Sequence, residues 1–252
     1  MEWTDEGIVL NTKKYGEKFL LTTILTKSHG KWPGITYIST NKKNKYTSPL
    51  QPGNLLLFSW KARLIQQLGL FTYEPISTLP IDLFYNRLSL QTLIVAISII
   101  FHTLPEKLPC IDLYNNFYNF IMSLKKSKNP IITYLLWELQ ILSDLGFGLD
   151  LKQCAVTGTL ENLMYVSPKT GRAVSSNIGQ QWHEKLLLLP NFLIKKDLNL
   201  PVSFLDIQNA FKLTGYFLQR YILNEKKFDN TLLLRQQLLS TLININLKEI
   251  NY

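Results

Sequence analysis

Much of what would give this chain a catalytic identity is missing from it. It has three histidines, His29, His102 and His183, and two cysteines, Cys110 and Cys154. None stands at a metal-ligand spacing such as His-Glu-x-x-His, whereas a structural zinc takes four thiolate or imidazole ligands. No Gly-x-x-x-x-Gly-Lys-Ser/Thr loop occurs, and no dinucleotide-type glycine pattern follows a strand, which argues against ATP-driven work. Gly-x-Ser-x-Gly is absent as well. The acids are few and scattered; Glu138 and Asp144 lie six apart on one expected helix and do not share a face, so no paired-carboxylate site is offered. The expectation is a protein that is not an enzyme, with no catalytic residues, no metal and no cofactor. Two cysteines suit a reducing cytoplasm without a disulfide. The acidic start, Met1 to Glu6, lacks the basic-then-apolar pattern of a secretion signal. The most apolar run, Leu88 to Phe101, is about fourteen residues and is interrupted by Ser89, Gln91, Thr92 and Ser98. A membrane span needs roughly twenty, so this run reads as a buried helix and no membrane partner is expected. No repeat or low-complexity tract occurs.

What the chain does have is positive charge in one place. Asn11 to Arg63 holds ten basic residues and one acid, Glu17, which accounts for the whole formal excess of +9. A concentrated positive field attracts a polyanion, and nucleic acid is the commonest. Nine of the ten are Lys. An ammonium neutralises phosphate well but reads guanine edges poorly, so binding should ignore sequence and weaken steeply with salt. The apolar fraction of 46% and the charged fraction of 18% over 252 residues describe a folded chain of one large or two modest domains.

The spacing predicts an α+β protein. Short strands are expected at Gly7–Leu10, Phe19–Leu25, Ile35–Ile38, Leu55–Ile65 and Gly69–Glu74, with a polar loop at 39–48 and a strong turn at Gln51-Pro52-Gly53-Asn54. Five short strands suggest a closed oligonucleotide-binding (OB-fold) barrel or an SH3-like one. In the fourth strand, alternation puts Leu56, Phe58, Trp60, Ala62 and Leu64 inside and Ser59, Lys61 and Arg63 outside. The loop adds Lys42, Lys43 and Lys45, and Lys13, Lys14, Lys27 and Lys31 complete the candidate DNA-binding set. Single-strand binders add aromatic platforms; Trp32, Tyr37 and Tyr46 are available, while Trp60 belongs to the core by its register. Helices are expected at Leu83–His102, capped by Asp82, then at Ile111–Leu124 and Ile131–Leu145, the last ending at Gly146. A hairpin with arms Met164–Val166 and Arg172–Val174 follows. Two further helices close the chain, one from Ser203 through Leu223 and one from Thr231 through about Ile245. Domains of 1–79 and 80–252 follow, with an irregular insertion at about 149–176.

Cys154-Ala155-Val156-Thr157-Gly158 has the outline of a zinc knuckle with Thr157 at the second ligand position. No Cys or His stands near Ser175 and Ile178, where the partner pair would lie. Cys154 therefore reads as a small buried hydrophobe.

Trp3-x-Asp5-Glu6-Gly7-Ile8-Val9-Leu10, Tyr15-Gly16-Glu17, Leu25-Thr26-x-x-His29-Gly30 and Leu50-Gln51-Pro52-Gly53-Asn54 resemble the amino-terminal domain of the bacterial recombination mediator family RecO. The likeness continues in Trp137-Glu138-Leu139, Leu145-Gly146-Phe147, Leu149-x-Leu151-x-x-Cys154, Val166-Ser167-Pro168-Lys169-x-Gly171 and Arg220-Tyr221. The Cys-Ala-Val-Thr-Gly form is similar to proteobacterial members without zinc. The resemblance implies an OB-fold barrel followed by a helical domain with a degenerate zinc-ribbon-like insertion. It implies binding to single- and double-stranded DNA and annealing of strands coated by single-strand-binding protein (SSB). It also implies action with RecR in helping RecA onto gapped DNA, recognition of the SSB carboxy-terminal tail, and a place at the bacterial nucleoid. The tail contact would fall on the helical part, where Arg220 and Lys212 are candidates. The family's loop after the third strand is often Arg- and Gly-rich; here it reads Thr40-Asn41-Lys42-Lys43-Asn44-Lys45, which keeps charge but not guanidinium. Two other readings stand beside this one: an RNA-binding OB-fold module, and a scaffold whose helical domain docks other proteins.

Overall fold

In the computed structural model, which describes residues 1–38, 49–196, 202–223 and 228–250, the chain forms two units, Met1–Lys125 and Lys126–Tyr252. The first opens with β1 (Glu2–Tyr15), a strand of 14 residues, followed by β2 (Phe19–Thr26), β3 (Gly30–Tyr37), β4 (Leu55–Lys61) and β5 (Leu70–Ser77). These close into a barrel of order β1-β2-β3-β5-β4, with β4 returning to β1 and with β3 and β5 parallel. This is the OB-fold arrangement. β1 is long because it serves two neighbours: Glu2 to Ile8 pairs with β4, and Gly7 to Tyr15 pairs with β2. The interior holds Val9, Ile24, Trp32, Leu50, Leu56, Phe58, Trp60 and Phe71. Trp60 donates its indole N–H to the Leu68 carbonyl at 2.8 Å, so its one polar atom is satisfied.

The alternation read in the fourth strand holds through Trp60, which is fully buried with Leu56 and Phe58. Ala62, half-buried, still packs against this core, but the alternation fails beyond it: β4 ends at Lys61, and Leu64 is 52% exposed in the connection to β5. The chain then enters α1 (Ile81–Tyr85), α2 (Arg87–Thr103) and α3 (Ile111–Lys126). A single helix capped by Asp82 is therefore corrected to two. Asn86 breaks the run and caps α2, its side chain accepting from the Ser89 N–H at 3.0 Å. Leu93, Val95, Ala96, Ile97, Ile99 and Ile100 are all buried, which accounts for the apolar run. Among the described residues, no helix is long and apolar enough to cross a membrane.

The second unit begins with α4 (Pro130–Asp144). Its end is a Schellman motif: Gly146 has φ of +86°, Phe147 N–H donates to Leu142 O at 2.7 Å, and Gly146 N–H donates to Ser143 O at 3.0 Å. The expected hairpin is present as β6 (Leu163–Val166) and β7 (Ala173–Ser175), joined through the Gly171 N–H to Ser167 O bond at 2.8 Å. A two-residue strand, β8 (Leu187–Leu188), extends it to the order β7-β6-β8. Between and after these lie α5 (Ser176–Gly179), a 3-10 turn at Gln180–Lys185 and α6 (Asn191–Lys195), none of which the periodicity announces. α7 (Phe204–Tyr221) starts with a full capping box between Ser203 and Asp206, and α8 spans Asp229–Ile250. Thr231, expected as a cap, instead lies buried inside α8.

One ion pair joins three helices of this unit. Arg235 of α8 donates to both carboxylate oxygens of Glu138 on α4, at 2.7 and 2.9 Å, and to the Phe211 carbonyl of α7 at 2.8 Å. Thr214 of α7 donates to the same carboxylate. Glu138 is fully buried. Burial acts to lower the Arg235 pKa, but the facing Glu138 charge and its hydrogen bonds, with Tyr134, raise it overall. Removing one partner leaves the other buried and uncompensated, at a cost of about 3–5 kcal/mol. Urea unfolding of Glu138→Ala should therefore show a loss of about that size, while Glu138→Leu combined with Arg235→Met recovers most of it. A loss below ~1 kcal/mol in the single variant would mean that the pair does not hold these helices together.

Candidate nucleic-acid interface

Past the point where β4 leaves it, β1 continues with β2 as a hairpin to Tyr15, opposite Phe19. The turn Gly16-Glu17-Lys18 needs Gly16, whose φ is +66°. Lys13, Lys14 and Lys18 are all exposed here, and Glu17 is the one acid in the turn. A one-residue bulge between Val9 and Asn11 sets the faces. Lys14 lies opposite Leu20, which packs on the interior, whereas Lys13 lies opposite Leu21 on the outer face. The two lysines thus flank the hairpin from both sides. β3 completes this corner: Tyr37 lies opposite Phe19, and the Ile38 N–H donates to the Lys18 carbonyl at 2.9 Å.

The other described basic residues of the candidate set do not gather at this corner. Lys27 is exposed in the β2–β3 turn, at the far end of β2. Lys61 is exposed opposite Glu2, with a 3.5 Å pair between them, and Arg63 is exposed in the connection after β4. Lys31 is only 9% exposed: its ammonium donates to the Phe101 carbonyl in the last turn of α2 at 2.7 Å and lies over the Phe101 ring. It acts as a charge at a helix C-terminus. Lys42, Lys43 and Lys45 fall in 39–48, outside the described residues, as does Tyr46. Of the aromatic candidates, Trp32 and Trp60 are core, and Tyr37 is 58% exposed. Sequence reading passed over Lys18 as a contact, and over Tyr15 and Phe19. Their signal was the short Tyr15-Gly16-Glu17-Lys18-Phe19 turn, which fixes the register of both strands once read as a hairpin.

In the second unit, the knuckle is formed. Cys154 N–H donates to Thr159 O at 2.8 Å, Gly158 N–H donates to Cys154 O at 2.9 Å, and Ala155 N–H ties it to Ala173 of β7 at 2.8 Å. Cys154 is 1% exposed, and its sulfur accepts from the Ser175 N–H at 3.3 Å. It is thus more than an apolar filler. Burial acts to raise the thiol pKa, but donors from Ser175 and Thr157 bring it down to about 6. A zinc ion would need four such ligands, and this corner supplies one sulfur with hydroxyls at Thr157 and Ser175, so the donor set does not fit zinc. Among the described residues no group of three or more His, Cys, Asp and Glu could hold a metal. Arg220 donates to the Pro168 carbonyl and lies over the Tyr221 ring; Lys212 is exposed on α7.

Two family models match the chain, Recombination protein O N terminal over residues 1–79 and Recombination protein O C terminal over residues 90–228. Among similar proteins, DNA repair protein RecO of Wolbachia sp. subsp. Drosophila simulans (strain wRi) is 42% identical over 226 residues, covering 88% of this chain and 92% of that protein. DNA repair protein RecO of Bartonella quintana (strain Toulouse) is 40% identical over 226 residues, covering 88% and 90%. That of Beijerinckia indica subsp. indica is 38% identical over 220 residues, covering 87% of each.

Two outcomes follow from these placements. Lys31→Met should lower stability to urea by about 1–3 kcal/mol, the cost of leaving a buried acceptor unpaired, and leave the salt dependence of DNA binding unchanged. A changed salt slope with unchanged stability would return Lys31 to the interface. For Cys154, a folded pKa below the ordinary 9.0 means stability that is present at high pH and lost as pH falls toward about 6. Wild type should therefore gain stability through this group between pH 6 and pH 9, and Cys154→Ser should lack that increment. Matching pH profiles for the two proteins would show that the sulfur stays protonated.

Proposed function

The chain belongs to the RecO family of DNA repair proteins, and from that premise we propose that it is a recombination mediator that holds DNA through phosphate contacts at the β1–β2 hairpin. The observation that carries the reading is that matches to both halves of the family coincide with an exposed lysine cluster, Lys13, Lys14 and Lys18, on an OB-fold barrel. Lys42, Lys43 and Lys45 lie outside the described residues and belong to the proposed contact set by their charge alone. Arg63, Lys61 and Lys27 extend the contact to longer DNA, and Lys31 is left out.

The chemistry asked of such a site is modest. Two complementary strands repel through their phosphates. A surface of mobile ammonium groups offsets that repulsion, holds the strands near one another and lets go of the product, because each contact is weak and exchanges with salt. No nucleotide hydrolysis enters. In this reading the protein binds single- and double-stranded DNA without regard to sequence and anneals SSB-coated complementary strands. With RecR it helps RecA onto gaps, and it meets the SSB tail through its second unit. It works as a mediator and not an enzyme, in the cytoplasm at the nucleoid.

Annealing of SSB-coated complementary oligonucleotides without ATP is the direct test, and it should proceed. Replacing Lys13, Lys14 and Lys18 together by Ala should reduce the slope of log affinity against log salt on single-stranded DNA by about 2, near 0.7 for each phosphate no longer neutralised. An unchanged slope would remove the hairpin from the site, and tighter binding to RNA than to DNA with no annealing would favour an RNA-binding module.

A further inference from the structure

We propose that the outer face of the β1–β2–β3 sheet at the hairpin end is a stacking platform for unpaired bases, so that this corner distinguishes single strands from duplex; the proposal rests on the DNA-binding reading above and specifies its ligand. Tyr15 lies opposite Phe19, and Phe19 lies opposite Tyr37. Residues directly opposite in antiparallel pairs share a face, so the three rings form one row across three strands, about 10 Å wide at ~4.8 Å per strand. The Phe19 and Tyr37 rings are 4.7 Å apart between centroids. The next row on the same face is Lys13, Leu21 and Ile35, the last two half-buried, which gives an apolar floor with an ammonium at its edge.

Exposure separates the two tyrosines from the barrel's buried core aromatics, while Phe19 between them is half-buried. Tyr15 is 49% and Tyr37 58% exposed, while Trp32, Phe58, Trp60 and Phe71 are buried. The barrel therefore has a full aromatic core without them, and their rings face outward. The charge around them selects the occupant. Lys13 stands beside the row on its own face, Lys18 lies in the adjoining turn and Lys14 on the other face of the hairpin, and Glu17 is the one acid in the turn. A ligand matching apolar flat faces and several cations at once is a polyanion with accessible π-faces. A single strand has both, whereas duplex DNA keeps its base faces stacked and presents phosphates alone. A row of this width has room for about two bases, as on other sheet platforms that stack two or three.

The test compares three probes by fluorescence anisotropy: a short thymidine oligonucleotide, an abasic strand of equal length, and a duplex. Wild type should bind the thymidine strand more tightly than the abasic one. Tyr15→Leu and Tyr37→Leu should each weaken thymidine-strand binding about 5- to 150-fold, leave abasic and duplex binding within about twofold, and leave the salt slope intact. Tyr→Phe at either position should retain wild-type binding. Equal affinity of wild type for thymidine and abasic strands overturns the proposal, as does an equal weakening on duplex in the Leu variants. Failure of the stacking result while the lysine variants still flatten the salt slope would sink the platform and leave the phosphate site standing. An unchanged slope in the lysine variants would instead sink the reading beneath it.

Discussion

Closure of the barrel through one long strand is the constraint on which the first unit depends. Gly7 and Ile8 are paired on both sides, to Thr26 and Leu25 of β2 and to Leu56 and Leu55 of β4. That double pairing places Val9, Leu56 and Ile24 together and lets the interior fill with Trp32, Phe58, Trp60 and Phe71. β4 releases β1 after Ile8, and β1 continues for seven more residues against β2. Those residues carry the chain beyond the closed part of the barrel. A core can dictate the register of a strand that extends past it, since pairing resumes after the one-residue bulge at Leu10, without burying the side chains at its tip.

The second unit depends on a different device. Glu138, Thr214 and Arg235 come from three helices and meet away from water. A bidentate carboxylate–guanidinium pair has a narrow geometric tolerance, so it fixes how α4, α7 and α8 are rotated against one another more sharply than apolar contacts would. The knuckle shows the same economy on a smaller scale. Backbone bonds hold its loop, and the hydrogen-bond donors around Cys154 satisfy the sulfur that a metal ion would otherwise take up.

Legibility in the sequence followed the range of the interaction concerned. The hairpin at Ser167–Gly171, the end of α4 at Gly146 and the start of α7 at Ser203 are local events with local signals and were readable; the five strands were readable in number and order, but β1 extends over Glu2–Tyr15 where only Gly7–Leu10 is expected, and β3 starts at Gly30 where Ile35 is expected. Asn86 was missed as a cap because Asp82 offered a similar signal four residues earlier. Thr231 reads as a cap by type, yet its position is decided by what it packs against. The charge count was right in number and misleading in place. Lys31 meets a helix end that lies 70 residues away in the chain, and no neighbouring residue announces that. Lys27 follows the last residue of β2, whereas Lys13, on β1, lies opposite Leu21 near its start, roughly 20 Å away at about 3.3 Å per residue.

The face that Tyr15 presents turns on a single residue of register. Before the bulge, Val9 opposes Ile24; after it, Asn11 opposes Thr23, so Leu10 is the extra residue. Without that insertion every later partner would shift by one. Tyr15 would then oppose Lys18 in place of Phe19, and its ring would turn to the inner side with Leu20 and Thr22. Lys13 would turn inward with it, opposite Leu20. The bulge is therefore what aligns an exposed tyrosine with Phe19 and Tyr37 and sets Lys13 on the same face. Periodicity in the sequence cannot reveal it, because an unbroken period of two is what the bulge interrupts. Pattern alone could find the strand and the charge, but only pairing could tell which side of the sheet they occupy.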